Sequence, residues 1–342
     1  MKKLFLSMVA VMIATVSFAQ NTLVATLSHG EDISMYYGTY ALRDAMNAAQ
    51  SGDVINLSGG AFQAVNITKG ITLRGTGIDD AAPTYISGNF TINVPSDDAN
   101  RLSMEGIRST GTITMKGTFN SPYFVKCEFY RFTYSDNPII KNAMFVNCKI
   151  RDNYRLAGTS TVQFINSYVQ GFYNQDQNNT AANFINCLIK PYYDGSYASN
   201  REYRPEFIIN SQLLNCIIFN NSSTNYIQET QLPSTTIATN CVSIQFSNLF
   251  GAQAANTKNK TATFAGLFKS FTGNYSNSQA FELTDEAKTT FLGDDGTQVG
   301  LYGGVLPYNS TPSYPQITKM NVANKTTADG KLSVEIEVSA AE

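Results

Sequence analysis

The chain has 342 residues, a formal charge of −2 and only 15% charged side chains. A surface this close to neutral lacks the basic field with which proteins displace counterions from nucleic acid or dock on anionic membranes, so neither is expected as a partner. Its wealth of Asn, Thr, Ser, Gly, Tyr and Phe, with no Trp and a single His, suits many short strands joined by polar turns, not helices.

The N-terminus begins with Lys2 and Lys3, continues with an apolar run from Leu4 to Val16, and reaches Ser17, Phe18 and Ala19. This is the order of a secretory signal with cleavage after Ala19, and the run is short for a membrane span. With no cysteine just after the cut, a lipid anchor has no attachment point. The expected mature protein is exported (periplasmic, cell-surface or extracellular), spans no membrane and is monomeric.

Next, residues 40–50 place Leu42, Ala45, Met46 and Ala49 at helical spacing, with Thr39 as the expected N-cap and Gly52 as the stop. The helix leads into Asp53-Val54-Ile55-Asn56-Leu57, Gly60-Ala61-Phe62 and Ile71-Thr72-Leu73-Arg74-Gly75.

Beyond it the chain repeats itself. Phe124-Val125-Lys126-Cys127, Phe145-Val146-Asn147-Cys148, Phe164-Ile165-Asn166-Ser167, Phe184-Ile185-Asn186-Cys187 and Leu213-Leu214-Asn215-Cys216 superpose without gaps, and Ala238-Thr239-Asn240-Cys241 is a weaker copy. Gly75 and Gly106 fit the same small-residue slot in two earlier copies. A period near 20 residues with alternating apolar positions is one turn of a solenoid of short strands; the fixed leucines of a leucine-rich repeat are missing. The expected fold is therefore all-β, a right-handed, single-stranded parallel β-helix. Equivalent residues stack in columns about 4.8 Å apart, and each Asn is expected to bond its equivalents in neighbouring coils.

Toward the C-terminus come Phe281-Glu282-Leu283-Thr284 and the Gly-rich run Phe291 to Gly304. Pro312 and Pro315 then mark a linker, and residues 316–323 and 331–340 read as a β-hairpin joined through Ala328-Asp329-Gly330. The expected organisation is a signal peptide over 1–19, a β-helix domain with its helical cap over 20–305, and linker plus hairpin over 306–342.

The helix, the Gly-Asp-Val-Ile step, the Gly-Ala-Phe turn and the Ile-Thr-Leu-Arg-Gly strand resemble the opening of pectate-lyase-like β-helix proteins. The run Phe291 to Gly304 resembles the closing segment of secreted bacterial ones. The resemblance covers roughly residues 25–305. It implies that the helix caps the open end of the solenoid, and it raises polysaccharide as a substrate class. Galacturonan hydrolases on this fold carry Asn-Thr-Asp, Asp-Asp, Gly-His-Gly and Arg-Ile-Lys motifs, a set this chain lacks.

Candidate chemistry is sparse. Five cysteines spaced as a column are expected to form a buried thiol ladder, since parallel Cβ atoms about 4.8 Å apart sit wider than the roughly 3.8 Å a disulfide prefers. No Cys-x-x-Cys pair suggests zinc, and His29 lies before the first coil. Asp294 and Asp295, with Asp285, read as an acidic turn, with calcium the alternative; no metal site is assigned.

The richest signal comes from counting along the columns. Three positions past the small-residue slot stand Arg151, Gln170 and Lys190; six past it stand Tyr154, Tyr173 and Tyr193; seven past it stand Arg155, Asn174 and Asp194; Asp152 lies at the fourth. Stacked on one side, the tyrosines would offer flat faces to sugar rings while Arg151, Arg155, Lys190 and Asp194 bond hydroxyls or carboxylates. The loop bearing Tyr192, Tyr197, Arg201, Tyr203 and Arg204 is expected to form one wall. Alternatively, the aromatic stripe merely stabilises the stack.

Two functions follow. One is a non-catalytic exported protein that binds polysaccharide or a cell-surface glycan, or serves as a scaffold, without a cofactor. The other is a uronate lyase acting by β-elimination, with Lys190 or a tyrosine as base and cations or calcium beside the carboxylate.

Overall fold

The computed structural model describes residues 23–79, 82–136, 138–156, 160–174, 180–193, 203–221, 230–252, 257–322, 329–331 and 334–339. The expected signal peptide, Asp194, Tyr197 and Arg201 lie outside the described residues. The chain winds into a parallel β-solenoid of about nine turns.

Two long sheets run the length of the solenoid. The first stacks Val54–Leu57, Thr72–Arg74, Ser103–Glu105, Tyr123–Val125, Ala143–Val146, Thr161–Ile165, Ala181–Ile185, Ser211–Leu214 and Ile237–Thr239 in parallel. At its start an antiparallel hairpin, Val24–His29 with Asp32–Tyr37, pairs with Val54–Leu57. The second sheet stacks Gly60–Gln63, Thr84–Ser87, Ile107–Met115, Glu128–Tyr134, Lys149–Leu156, Tyr168–Asn174, Leu188–Tyr193, Ile217–Phe219, Val242–Ile244 and Lys260–Ala262.

Between the sheets each coil turns through the Asn-Cys step. Lys126, Asn147, Asn166, Asn186, Asn215 and Asn240 all have φ between 45° and 55°. That left-handed backbone is costly for most side chains and easiest for Gly and Asn. The amide of each corner residue bonds the next coil, as in Asn147 N–H to Ile165 O at 3.0 Å and Asn166 N–H to Ile185 O at 2.9 Å. The thiol column is in register: Lys149 N–H bonds Cys127 O, Tyr168 N–H bonds Cys148 O and Leu188 N–H bonds Ser167 O, at 2.9, 2.9 and 3.1 Å.

Two expectations about this corner are corrected. Gly106, at φ 65°, occupies the asparagine column, because Glu105 pairs with Val125 and Arg108 with Glu128; Gly75, one coil earlier, follows Arg74, the partner of Glu105. Gly106 supplies the left-handed turn, Gly75 instead sits where a Cβ would meet Gly106 O at 2.6 Å, and Ile107 fills the interior. The corner asparagines also do not bond one another: among the described residues, both side-chain polar atoms of Asn186 lack a partner, and Asn166 reaches elsewhere.

Inside, Phe124, Phe145, Phe164 and Phe184 stack with centroids 4.6, 5.0 and 5.0 Å apart. Phe129, Phe132, Tyr154 and Phe172 meet that column largely edge-on. Each fully buried ring adds roughly 1.5–3 kcal/mol of transfer free energy. The five cysteines form no disulfide and are buried; their thiols donate to carbonyls of their own and the preceding coil, as Cys148 Sγ does to Phe124 O at 3.3 Å. Burial pushes the Cys148 thiol up to about 12.

Helix α1, Ala41–Ala48, buries Leu42, Ala45 and Met46 against the first strands. Its N-cap is Tyr40, with no side-chain capping bond, not Thr39; the Tyr40 ring instead carries Arg43 at 4.0 Å. At the other end Lys69 Nζ bonds the carbonyls of Met46 and Ala49 at 3.0 and 2.5 Å, satisfying groups the helix leaves open.

After the last coil the chain turns back over the solenoid. Leu267, Phe268, Phe271, Phe281, Leu283, Val299 and Leu301 cover the outward side chains Tyr168, Leu188, Ile217 and Val242 of the second sheet. The return segment then follows the asparagine corner toward the first coils. Gly300 N–H bonds Asn215 O at 2.8 Å, Asn166 Nδ2 bonds the carbonyls of Leu301 and Gly303 at 2.8 and 2.7 Å, Lys126 Nζ bonds Ser313 Oγ at 3.2 Å, and the Tyr314 hydroxyl bonds Gly75 O. Residues 306–314 therefore lie on the coils, and Gln316–Val322 pairs with Val334–Ser339 as an antiparallel hairpin.

Candidate functional site

Four strands of the second sheet, starting at Glu128, Lys149, Tyr168 and Leu188, carry the charged and aromatic residues singled out above. Each neighbouring pair slips its register, between Phe129 and Arg131, between Ile150 and Tyr154, and between Gln170 and Phe172. Such bulges change the number of residues between equivalent columns, and one residue of slip sends a side chain to the opposite face.

Three past the slot, Gln170 and Lys190 remain partners, whereas Arg151 falls within the slip that follows Ile150. Positions six and seven do not survive. Tyr154 pairs with Phe172, points into the core and is 0% exposed. Tyr173 pairs with Arg155 and is buried beneath Tyr192 and Phe207, at 5.0 and 4.5 Å, with the exposed Arg155 5.2 Å over its ring. Of the three tyrosines expected in one stripe, only Tyr193, 52% exposed, faces solvent.

What does assemble is an open pocket of about 320 Å³ lined by Asp152, Asn153, Gln170, Lys190, Tyr193, Tyr203 and Asn221, among others. Of the residues expected to form one wall, Tyr203 lines the pocket, where Tyr203 and Arg204 pair antiparallel with Tyr193 and Tyr192. The Tyr203 ring lies 5.3 Å from that of Tyr193, and its hydroxyl bonds Asn221 Oδ1. Lys190 Nζ stands 5.5 Å from the centroid of Tyr203. Among the described residues no carboxylate pairs with Lys190, and burial pushes its ammonium down to about 8. Gly171 shapes the opposite side: at φ 68°, a Cβ there would meet Asp152 O at 2.1 Å. Asp152 is held by Arg131.

Arg151 is engaged elsewhere. Its Nε lies 2.8 Å from Glu128, a carboxylate that is 0% exposed and also takes Arg108 at 3.0 Å and the Tyr275 hydroxyl at 3.1 Å. Glu128, Arg131 and Asn221 were not singled out from the sequence. Arg108, Glu128 and Lys149 occupy one column with alternating charge, a pattern visible only once register is known; Asn221 and Tyr275 come from far along the chain.

The other candidates have structural partners. His29 Nδ1 is 2.7 Å from Asp53. Asp295 accepts from Thr297 N–H and Oγ1 at 3.0 and 2.8 Å in a tight turn, Asp294 pairs with Lys258, and Asp285 with Lys288 and Lys269. Among the described residues no three His, Cys, Asp or Glu side chains gather as a metal site, and no helix is long and apolar enough to cross a membrane.

Compared with models of protein families, with curated proteins and with solved structures, the chain matches none.

Proposed function

We propose that this chain is an exported, right-handed, pectate-lyase-like β-helix protein that binds polysaccharide or a cell-surface glycan, as a monomer and without catalysis, in the pocket around Lys190 and Tyr193. The observation that carries the reading is the half-exposed Tyr193 ring beside Tyr203, on a pocket otherwise lined by Lys190, Asp152, Asn153, Gln170 and Asn221. An aromatic face flanked by amide, carboxylate and ammonium groups suits a sugar ring, whose C–H face packs on the ring while its hydroxyls bond the polar rim. The N-terminal charge, apolar run and small residues support export.

The test is retardation of the full mature chain in gels containing pectate, alginate, chondroitin or neutral glucans. Retardation by at least one glycan, lost in Tyr193→Ala, is expected; identical migration in all of them overturns the reading. One observation favours the lyase alternative: among the described residues Lys190 has no carboxylate partner, and burial pushes its ammonium down to about 8, toward the neutral amine that a base for β-elimination must be. A rise in absorbance near 235 nm on a uronate polymer, abolished by Lys190→Gln, would replace binding alone with that chemistry. Calcium dependence belongs to the same assay.

A further inference from the structure

A second cavity, of about 570 Å³, opens where the return segment lies beside the outer face of the second sheet. Tyr85, Arg108 and Lys149 reach it from three strands, Asp79 from a turn, and Tyr302 and Tyr308 from the return segment. It shares no lining residue with the Lys190 pocket.

Charge there is out of balance. Among the described residues, three cations, Arg108, Lys149 and Arg151, meet two carboxylates, Glu128 and Asp79. Glu128 is sealed behind the cavity: its Oε2 takes Arg108 and Tyr275, and its Oε1 pairs in charge with Arg151 Nε at 2.8 Å without forming a hydrogen bond. That leaves Lys149, almost wholly buried, with only Asp79, whose two oxygens both stand 3.3 Å away, and Arg108 is 4.0 Å from the same carboxylate. Ammonium–carboxylate bonds close to about 2.7–2.9 Å, so this pairing is slack.

Hydrogen bonding is incomplete as well. The Tyr308 hydroxyl and Arg108 Nε are shielded from solvent and have no partner among the described residues. Lys149 Nζ lies 5.5 Å from the Tyr308 ring centroid, so the slack ammonium and the unpartnered phenol belong to one corner of the cavity. Buried donors without acceptors carry the full desolvation cost of an unmade bond.

We propose that this cavity binds a compact oxyanion, whose oxygens accept from the Lys149 ammonium and the Tyr308 hydroxyl. Bound there, the anion bridges the coils to the return segment and holds the two together. Inorganic phosphate or sulfate supplies this chemistry, and so does the carboxylate of an acidic sugar. The proposal stands independently of the glycan pocket.

The test is thermal unfolding of the full mature chain at constant ionic strength, titrating sodium phosphate, sulfate or galacturonate against chloride. A ligand that binds only the folded chain raises the midpoint in a saturable way. A saturable rise with at least one of the three is expected, and whichever saturates at the lowest concentration identifies the source of the oxyanion. Tyr308→Phe, which keeps the ring and removes only the hydroxyl, should raise the half-saturating concentration about tenfold, the equivalent of one charge-assisted bond. Lys149→Met should abolish the response; if that variant does not fold, Tyr308→Phe decides alone. Lys190→Gln should titrate like the parent with phosphate and sulfate, which separates this site from the glycan pocket. Equal rises with chloride, no saturable rise with any anion, or a Tyr308→Phe titration matching the parent would overturn the proposal.

Discussion

Replacing Tyr154 by Phe should make the protein more stable. The ring of Tyr154 sits among Phe132, Phe145, Phe164 and Phe172, with centroids 5.3, 5.4, 5.2 and 6.1 Å away, so the apolar part of the side chain is fully used. Its hydroxyl is buried with no hydrogen-bond partner among the described residues. Burying a hydroxyl without compensation costs about 1–3 kcal/mol on mutational scales. Because the residues paired with it in the neighbouring coils, Phe132 and Phe172, are already phenylalanine, the shorter ring fits the column, and the small void left behind offsets only part of the gain. A net gain of about 1–2 kcal/mol, with a urea dependence of about 3 kcal/mol per molar for a chain of this size, moves the unfolding midpoint up by about 0.5 M. The assay is urea unfolding followed by far-ultraviolet circular dichroism, alongside glycan gel retardation, which should not change. A fall in stability of more than about 0.5 kcal/mol would show that the hydroxyl has a partner worth a normal hydrogen bond, and the reasoning would fail.

Lys190 offers a pH test with a definite sign. Its proton leaves near pH 8 in the folded chain but near the ordinary value of 10.5 in the unfolded one, so the parent should gain stability as pH rises from about 8 to 10.5; Lys190→Met should lack that rise in urea unfolding run across the window. Over the same range, retention on an acidic glycan should weaken around pH 8 in the parent and stay flat in the variant. At the asparagine corner, Asn166→Gly should cost about 1–3 kcal/mol by removing two bonds to the return segment. Asn166→Ala should cost about 1–2 kcal/mol more, because the φ of 45° suits glycine and not alanine; equal losses in thermal unfolding would contradict the left-handed corner. The five thiols should stay unreactive toward a disulfide reagent at pH 8 in the native chain and all react in denaturant, since each is buried and Cys148 titrates only near pH 12.

The coil, the thiol column, the N-terminal helix and the C-terminal hairpin were all legible in the residues alone. Each is a short-range pattern: alternation along a strand, a small residue after a turn, apolar spacing of three and four, two runs joined through Asp-Gly. Repetition added the stacking, because a coil of about 20 residues that cannot bury its own apolar face must lie on a copy of itself. Gly106 shows where this reading stopped, since a small residue and a left-handed one look alike until the pairing of Glu105 with Val125 decides between them. Only the tertiary structure decided which side chains face outward beyond the bulges. A slip of one residue turned Tyr154 into core and put Tyr173 under Phe207, leaving Lys190 and Tyr193 to meet Tyr203 and Asn221. It alone also brought Tyr275 to Glu128 across 147 residues and laid the return segment along the asparagine corner. Strand periodicity is a property of neighbours in the chain, whereas register past a bulge and the path of a returning segment are settled by packing against residues far away in it.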